Sequence, residues 1–482
     1  MFVGLAPWCL GFLSLALPTA VVAAYTLNLF YRTGTFFWDP GLFVHLGSFS
    51  DSWPMLWPDF LHRDLNAPRQ TFFSIHFMPF LYVTSALYKL VAFMPPAAYF
   101  SVLQGLWSGL IGLSVFILCT RRGGTVLAVA AALPTALCGP VLGASGFPHI
   151  EPAIPALFLL FFALRSAGFV ALAYAALALC LSVREDAGLH ALSFLSLLAI
   201  AQWLSGQPRK VIWNTALTAA LCAAYSLFAL TFPWLWYPRA VSLLHQIYLG
   251  NPALAHVSWA MIGERLIAYL TDRAYITWPL LVLLGVAMWR RSPALAVGVV
   301  APLPWMLLAL IAIRGEGLWG YYSFPLIVSI AWPAVVLGAA GARLLLGLST
   351  LSIALFVVMG GPNPDRTPWR SLQVPDLAVV GHYERLLIDA VGRRDELGRL
   401  AVDDSVVTLI SNSLKIDEWV IQWVVDKLPN PDTVIFNESV EGPLDTRAAV
   451  EAAIKASGLT HKCRLGDTPF VVASRNKTSL CP

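Results

Sequence analysis

The chain has 482 residues, of which 58% are hydrophobic and only 12% charged, and its mean hydropathy is +0.70. A soluble domain carries roughly a quarter charged residues, so this composition excludes an all-soluble fold and calls for lipid around most of the chain. The net charge of +4, without a clustered basic patch, gives no footing for a nucleic-acid partner.

The first thirty residues lack the basic leader of a secretory signal and read as a retained first span, although Thr19-Ala20-Val21-Val22-Ala23-Ala24 is loosely cleavage-like. Apolar runs cover residues 3–30, 98–120, 125–143, 150–164, 167–183, 187–205, 211–233, 275–289, 294–313, 321–341 and 344–360. A crossing helix needs about 17–25 such residues, so the pattern predicts about eleven spans. Ile75 to Met94 is also apolar but carries His76 and Lys89 and ends at Pro95-Pro96.

Charge placement settles that segment. Arg121-Arg122, Arg165, Arg209-Lys210, Arg290-Arg291 and Arg343 fall in alternate short loops, while Asp39, Glu151, Glu185, Asp186, Glu264, Asp272 and Glu316 fall in the others. Lys and Arg mark cytoplasmic loops, and the alternation holds only if 75–94 stays at the outer face without crossing. The N-terminus is then inside, and the acidic loops and the C-terminal region outside. Two outer loops are large. Residues 31–97 include His62-Arg63-Asp64-Leu65-Asn66, and residues 234–274 open with Trp234, Trp236 and Tyr237, which suit an interfacial aromatic belt.

The expected architecture is an all-α polytopic membrane bundle over residues 1–361, followed by a small α/β soluble domain over 362–482. In that tail, a helix is expected around Val379–Val391, a strand over Ser405–Ile410, an amphipathic helix over Ile416–Leu428 and a strand over Thr433–Phe436. A helix capped by Asp445 or Thr446 and ending at Gly458 follows, then a hairpin over Cys463–Arg475 turning at Gly466-Asp467. Cys9, Cys119, Cys138, Cys180 and Cys222 lie in apolar runs and read as small core residues. Cys463 and Cys481 could pair if the tail meets an oxidising compartment.

Ionisable residues bordering spans are costly and nominate a site. Asp39, in Trp38-Asp39-Pro40-Gly41, reads equally as a general base or cation ligand and as a helix cap before Pro40. Arg184-Glu185-Asp186 can bind phosphate through the guanidinium and use its carboxylates for acid–base or metal work, or can form a capped polar turn. His149 and Glu151, between Pro148 and Pro152, are either part of a site or a loop tip. His76 is either a substrate contact or a packing histidine, and Arg314 beside Glu316 either binds an anion or belongs to a Gly-rich turn. Arg265 and Arg273 read as interfacial anchors. No Walker loop, CxxC pair, HExxH or GxSxG elbow occurs.

The segments Trp38-Asp39-Pro40-Gly41-Leu42-Phe43, Phe73-Ser74-Ile75-His76-Phe77-Met78-Pro79, Pro148-His149-Ile150-Glu151 and Arg184-Glu185-Asp186 stand in a distinctive order. Asp404-Ser405-Val406-Val407, Pro431-Asp432-Thr433-Val434-Ile435-Phe436 and Phe470-Val471-Val472-Ala473-Ser474-Arg475 continue it. The whole resembles the GT-C superfamily of membrane glycosyltransferases, and more closely an uncharacterised bacterial multi-span membrane protein family usually placed there. Where that family often has a histidine near a late span, this chain reads Tyr321-Tyr322-Ser323-Phe324-Pro325.

The resemblance implies a polyprenyl-phosphate-linked sugar as donor, transfer with inversion on the extracytoplasmic side, and residence in the bacterial inner membrane. Asp39 would match the superfamily's catalytic acidic residue. Glu151, Glu185 and Asp186 would shape the site or hold a divalent cation (Mg or Mn), though many relatives need none. Arg184 or Arg314 would pair with the donor phosphate. A transporter and a non-catalytic membrane scaffold are the rival functions, the first weakened by the absence of an inverted internal repeat.

Overall fold

The apolar runs named above are mainly helical, with short breaks, among the residues that the computed structural model describes: 5–33, 43, 73, 76–120, 124–236, 248–313, 318, 320–359, 377–403, 406, 419–421, 431–438 and 446–480. Among these residues, six helices are long and apolar enough to cross a bilayer, and eight if each bent pair counts as one span. Ala153–Ala167 and Val170–Ser182 are shorter apolar helices, and Phe324–Val358 counts as one stretch where the sequence reads as two runs. Those two runs are Phe324–Leu337 and Ala342–Val358, divided by a 3-10 turn that starts at Gly338 with φ +55°. Within Ile75–Met94 the structure has a helix over Phe80–Leu90. Eleven residues make about 16 Å of helix, half the roughly 30 Å of hydrocarbon.

The chain falls into two units: residues 1–23, 74–80 and 102–372 in the first, and residues 24–73, 81–101 and 373–482 in the second. In the first unit, glycines let helices approach closely. A Cβ on Gly105, Gly109 or Gly112 would overlap Thr19, Leu15 or Ser14 on the opposing helix, the small-residue packing that holds helices together where lipid removes the hydrophobic drive. Hydroxyls in these helices bond back to their own turns, Ser14 Oγ to Leu10 O at 2.9 Å and Thr19 Oγ1 to Leu15 O at 2.8 Å. The helix Arg209–Trp236 shows Trp213, Leu217 and Leu227 on its outer surface. Such a surface is stable against lipid and a liability in water, and the protein is an integral membrane protein.

The second unit contains a five-stranded sheet in the order β2-β1-β3-β5-β4. The strands are β1 (Leu400–Asp403), β2 (Trp419–Ile421), β3 (Thr433–Asn437), β4 (His461–Arg464) and β5 (Phe470–Ser474). β1 pairs in parallel with β2 and β3, while β5 runs antiparallel to β3 and β4. Alternation along the strands sends side chains to two cores. Val402, Ile435 and Val472 pack with Leu387, Ala390 and Val391 of the helix Leu377–Gly392. Ala401, Val434, Phe436 and Val471 pack with Val450 and Ala453 of the helix Thr446–Ala456. The β4–β5 hairpin turns through Gly466 at φ +60°, as its sequence predicts. Cys463 is disulfide-bonded and the five cysteines of the apolar runs are free; Cys481 lies outside the described residues.

Two expectations for this unit need correction. The first strand is Leu400–Asp403, ahead of the expected 405–410, of which only Val406 is described, as helical. Trp419–Ile421, expected inside a helix, is a strand paired with β1. Short apolar runs do not distinguish the two periods, and β-branched Val420 and Ile421 fit a pleated position beside a ready sheet edge.

Candidate active site

Two breaks between apolar helices of the first unit carry clusters of ionisable residues. Residues 146–152, between Gly139–Ser145 and Ala153–Ala167, hold His149 and Glu151. Residues 183–186, between Val170–Ser182 and Ala187–Leu204, hold Arg184, Glu185 and Asp186. A third segment, the extended stretch 76–78 ahead of Pro79, holds His76. Phe77 fixes that stretch by packing its ring 4.5 Å from Phe232 and 5.7 Å from Phe228 of the helix Arg209–Trp236.

These segments converge on one buried polar network. Arg184 Nη1 lies 3.2 Å from Glu151 Oε1, and Arg184 Nε lies 3.1 Å from Asp186 Oδ1. His149 Nδ1 contacts Glu151 Oε2, and the His149 carbonyl accepts from Gln104 Nε2 at 2.5 Å. His76 Nδ1 meets Glu185 Oε1 at 2.8 Å. His190, four residues beyond Asp186, places Nε2 3.7 Å from Asp186 Oδ2. Side-chain exposure is 3% for Glu151 and 9% for Arg184, so the pair is removed from solvent and held by its own partners.

Glycine explains why Glu185 can sit there. A Cβ on Gly188 would overlap the Cys222 carbonyl and come within 2.6 Å of Ser226 Oγ, so the helices Ala187–Leu204 and Arg209–Trp236 touch at this level. Ser226 Oγ then donates to the Glu185 carbonyl at 2.8 Å. The helix-cap reading of Asp186 fails: it occupies the cap position of Ala187–Leu204 without a side-chain cap hydrogen bond, and turns instead to Arg184 and His190.

Electrostatics follow from burial and neighbours. Burial lowers the His149 imidazole well below its ordinary range, and the charges of Arg184 and His76 act in the same direction, so it is neutral and can donate Nδ1–H to Glu151. Burial acts to raise Asp186, but Arg184 and His190 outweigh it and hold the carboxyl well below its ordinary range. Burial likewise acts against the charged Arg184, and Asp186 and Glu185 override it, so the guanidinium stays protonated.

Aromatic groups border the network. His190 stands edge-on to Trp305 and Phe324, at 5.1 and 4.9 Å between ring centres, and Trp305 Nε1 donates to the Tyr322 carbonyl at 2.8 Å. Tyr248 is buried within electrostatic reach of Arg184. Arg265, expected to anchor at the interface, donates to the carbonyls of Leu310 and Ala312 at 2.8 and 2.6 Å, closing the C-terminal end of the helix Leu303–Ile311.

The structure thus brings together His76, His149, Glu151, Arg184, Glu185 and Asp186, all nominated by the sequence. Asp39 and Arg314 lie outside the described residues. Gln104, His190, Tyr225 and Tyr248 were not nominated. Only His190 left a signal, the i,i+4 spacing from Asp186 that puts both on one helix face. Among the described residues, no three His, Cys, Asp or Glu side chains gather as a metal-ligand set.

No protein-family model and no curated protein matches the sequence. A solved structure does match: ArnT from Cupriavidus metallidurans, crystallised with undecaprenyl phosphate, aligns over 98% of this chain and 98% of its own, with a TM-score of 0.52 and 14% identity. The chain shares the fold of that structure. An all-α membrane bundle with a small C-terminal α/β sheet region is the architecture the sequence predicts, and the agreement spans nearly the whole chain.

Proposed function

We propose that this chain is a membrane glycosyltransferase that moves a sugar from a polyprenyl-phosphate carrier to an acceptor hydroxyl at the extracytoplasmic face of the bacterial inner membrane. The observation that carries the reading is the buried network of Arg184 with Glu151, Asp186 and the Glu185–His76 pair, set in a fold shared with an ArnT that binds undecaprenyl phosphate. Ion pairs at span ends serve function more often than stability, because desolvation cancels most of their attraction.

In the proposed reaction a carboxylate takes the proton of the acceptor hydroxyl, whose oxygen attacks the anomeric carbon from the face opposite the phosphate. The new C–O bond forms as the bond from the anomeric carbon to the phosphate oxygen breaks, and the electron pair leaves with the lipid phosphate. Asp39 is the proposed base on the strength of the family resemblance, and Arg184, with Arg314, the proposed partner of the departing phosphate. A permanently charged, pre-positioned guanidinium in a water-poor site stabilises that charge with little reorganisation. The disulfide at Cys463 suits a tail facing an oxidising compartment, in support of the outward placement of residues 362–482.

The test is the purified full-length protein in lipid nanodiscs, offered undecaprenyl phosphate and, separately, radiolabelled undecaprenyl-phosphate monosaccharides with a cell-envelope extract as acceptor source. Saturable binding and label transfer with release of undecaprenyl phosphate are expected. Failure to bind undecaprenyl phosphate at all overturns the reading.

A further inference from the structure

Glu185 is a buried carboxylate with one oxygen engaged and one not. Oε1 is held by His76 Nδ1 at 2.8 Å, whereas Oε2 is buried without a hydrogen-bond partner. The Tyr225 hydroxyl, within electrostatic reach of Glu185, is likewise buried and unpartnered, and the adjacent Ser226 is bonded to the Glu185 backbone. Outside the ion pairs themselves, Gln104 adds another such atom: 1% exposed, it donates through Nε2 to the His149 carbonyl and leaves Oε1 unmatched.

Burying an unmatched polar atom costs about 1–3 kcal/mol and more for a charged one, and native proteins keep few of them. Their concentration around one ion-pair network marks a place built to receive hydrogen bonds. The complement is specific. Glu185 Oε2 offers a lone pair that can accept, and the Tyr225 hydroxyl can donate. A hydroxyl can donate to the first and accept from the second. In the reaction proposed above, the donor phosphate pairs with Arg184, and the sugar is bonded directly to that phosphate. The residue next to Arg184 in sequence is Glu185.

We infer that Glu185 Oε2 and the Tyr225 hydroxyl form a subsite for a hydroxyl of the donor's sugar, with His76 holding the carboxylate in place. This inference rests on the glycosyltransferase reading and assigns the part of the site that distinguishes the sugar from its lipid phosphate. Sites that hydrogen-bond a substrate hydroxyl discriminate strongly, because the analogue lacking it leaves buried groups unpaired.

The experiment measures affinities of the full-length protein in nanodiscs for bare undecaprenyl phosphate and for its glucosyl, galactosyl and arabinosyl derivatives. The quantity read is the gain in affinity that the best sugar adds over the bare phosphate. Glu185→Gln should cut that gain about 10- to 100-fold and Tyr225→Phe about five- to tenfold, and the two effects should be less than additive because they act on one hydroxyl. Tyr225→Phe keeps the ring and its packing, so its effect does not depend on Glu185→Gln folding normally. A gain unchanged in both variants overturns the subsite, as does a wild-type protein that binds the bare phosphate and gains nothing from any sugar. A wild-type protein that does not bind undecaprenyl phosphate overturns the functional reading itself.

Discussion

Arg184 Nη1 reaches Glu151 Oε1 at 3.2 Å across 33 residues of sequence, and neither side chain is more than 9% exposed. The contact joins two helix breaks, and the same guanidinium forms an ion pair with Asp186 at 3.1 Å. A buried cation between two carboxylates holds all three charges in the bundle.

Removing that cation leaves two buried carboxylates without compensation. Arg184→Met should destabilise the protein by about 3–5 kcal/mol, read as a lower unfolding temperature in detergent. Glu151→Gln should cost less, because the amide oxygen still accepts from Arg184 and Asp186 still balances its charge. Arg184→Lys should recover part of the stability but not any phosphate-dependent function, since an ammonium cannot reproduce the two-pronged guanidinium.

Helix approach at Gly188 is what sets Glu185 against Ser226. Gly188→Ala should destabilise by about 1–3 kcal/mol, because its Cβ meets the Cys222 carbonyl, which is backbone and cannot turn aside. Gly285→Ala is the matched control: nothing lies within 4 Å of a Cβ there, and helix propensity alone favours the substitution. Equal melting temperatures for the two variants would contradict the close packing.

The candidate site was legible to the extent that charge in an apolar setting is legible. His76, His149, Glu151 and Arg184-Glu185-Asp186 stand out because lipid-embedded segments rarely tolerate them, and the structure joins all six. What stayed hidden are uncharged partners such as Gln104 and Tyr225, since a buried amide or phenol among apolar residues looks the same whether or not its neighbour is a carboxylate. The apolar helices were legible from run length, though six to eight rather than about eleven are long enough to cross among the described residues; the strand at Trp419–Ile421 was not, because three residues carry no measurable period and their conformation comes from β1 beside them.

His149 supplies a pH signature. Its pKa in the folded state is depressed by burial from an ordinary 6.5, so below that pH the unfolded chain binds a proton that the folded chain refuses. The unfolded state then holds more protons, and stability falls as pH drops from about 6.5 towards the depressed folded value. Melting temperatures between pH 8 and 5 should therefore decline in the wild type, and decline less in His149→Gln, whose side chain can still donate to Glu151. Parallel profiles would mean that the imidazole titrates normally in the fold.

Membrane sidedness has a direct test. Single cysteines placed at Arg122 and Lys210 should be shielded from an impermeant thiol reagent in intact cells, and one at Asp467, whose side chain is 79% exposed, should react. Both outcomes follow from Lys and Arg marking cytoplasmic loops. Labelling at Arg122 would show that residues 75–94 cross the membrane and would invert the assignment of every later loop.

The proposed base is Asp39, which the family resemblance puts in that role and which local sequence reads equally well as a helix cap before Pro40. The two roles separate under Asp39→Asn. Asparagine caps helices about as well as aspartate, so a cap should survive with a stability change under about 1 kcal/mol. A general base cannot survive the exchange, because an amide does not take up the acceptor's proton, and its loss costs about two to four orders of magnitude in rate. Thermal stability and transfer from undecaprenyl-phosphate sugars are therefore measured on the same Asp39→Asn preparation, with Glu185→Gln beside it. The expected result is an unchanged melting temperature with transfer reduced at least 100-fold, while affinity for bare undecaprenyl phosphate is kept. In Glu185→Gln the defect should instead appear as weaker binding of the sugar-bearing donor, because that carboxylate is assigned to holding the sugar. Full transfer by Asp39→Asn would move the base to another carboxylate, and Glu185 and Asp186 of the buried network would be the next to exchange.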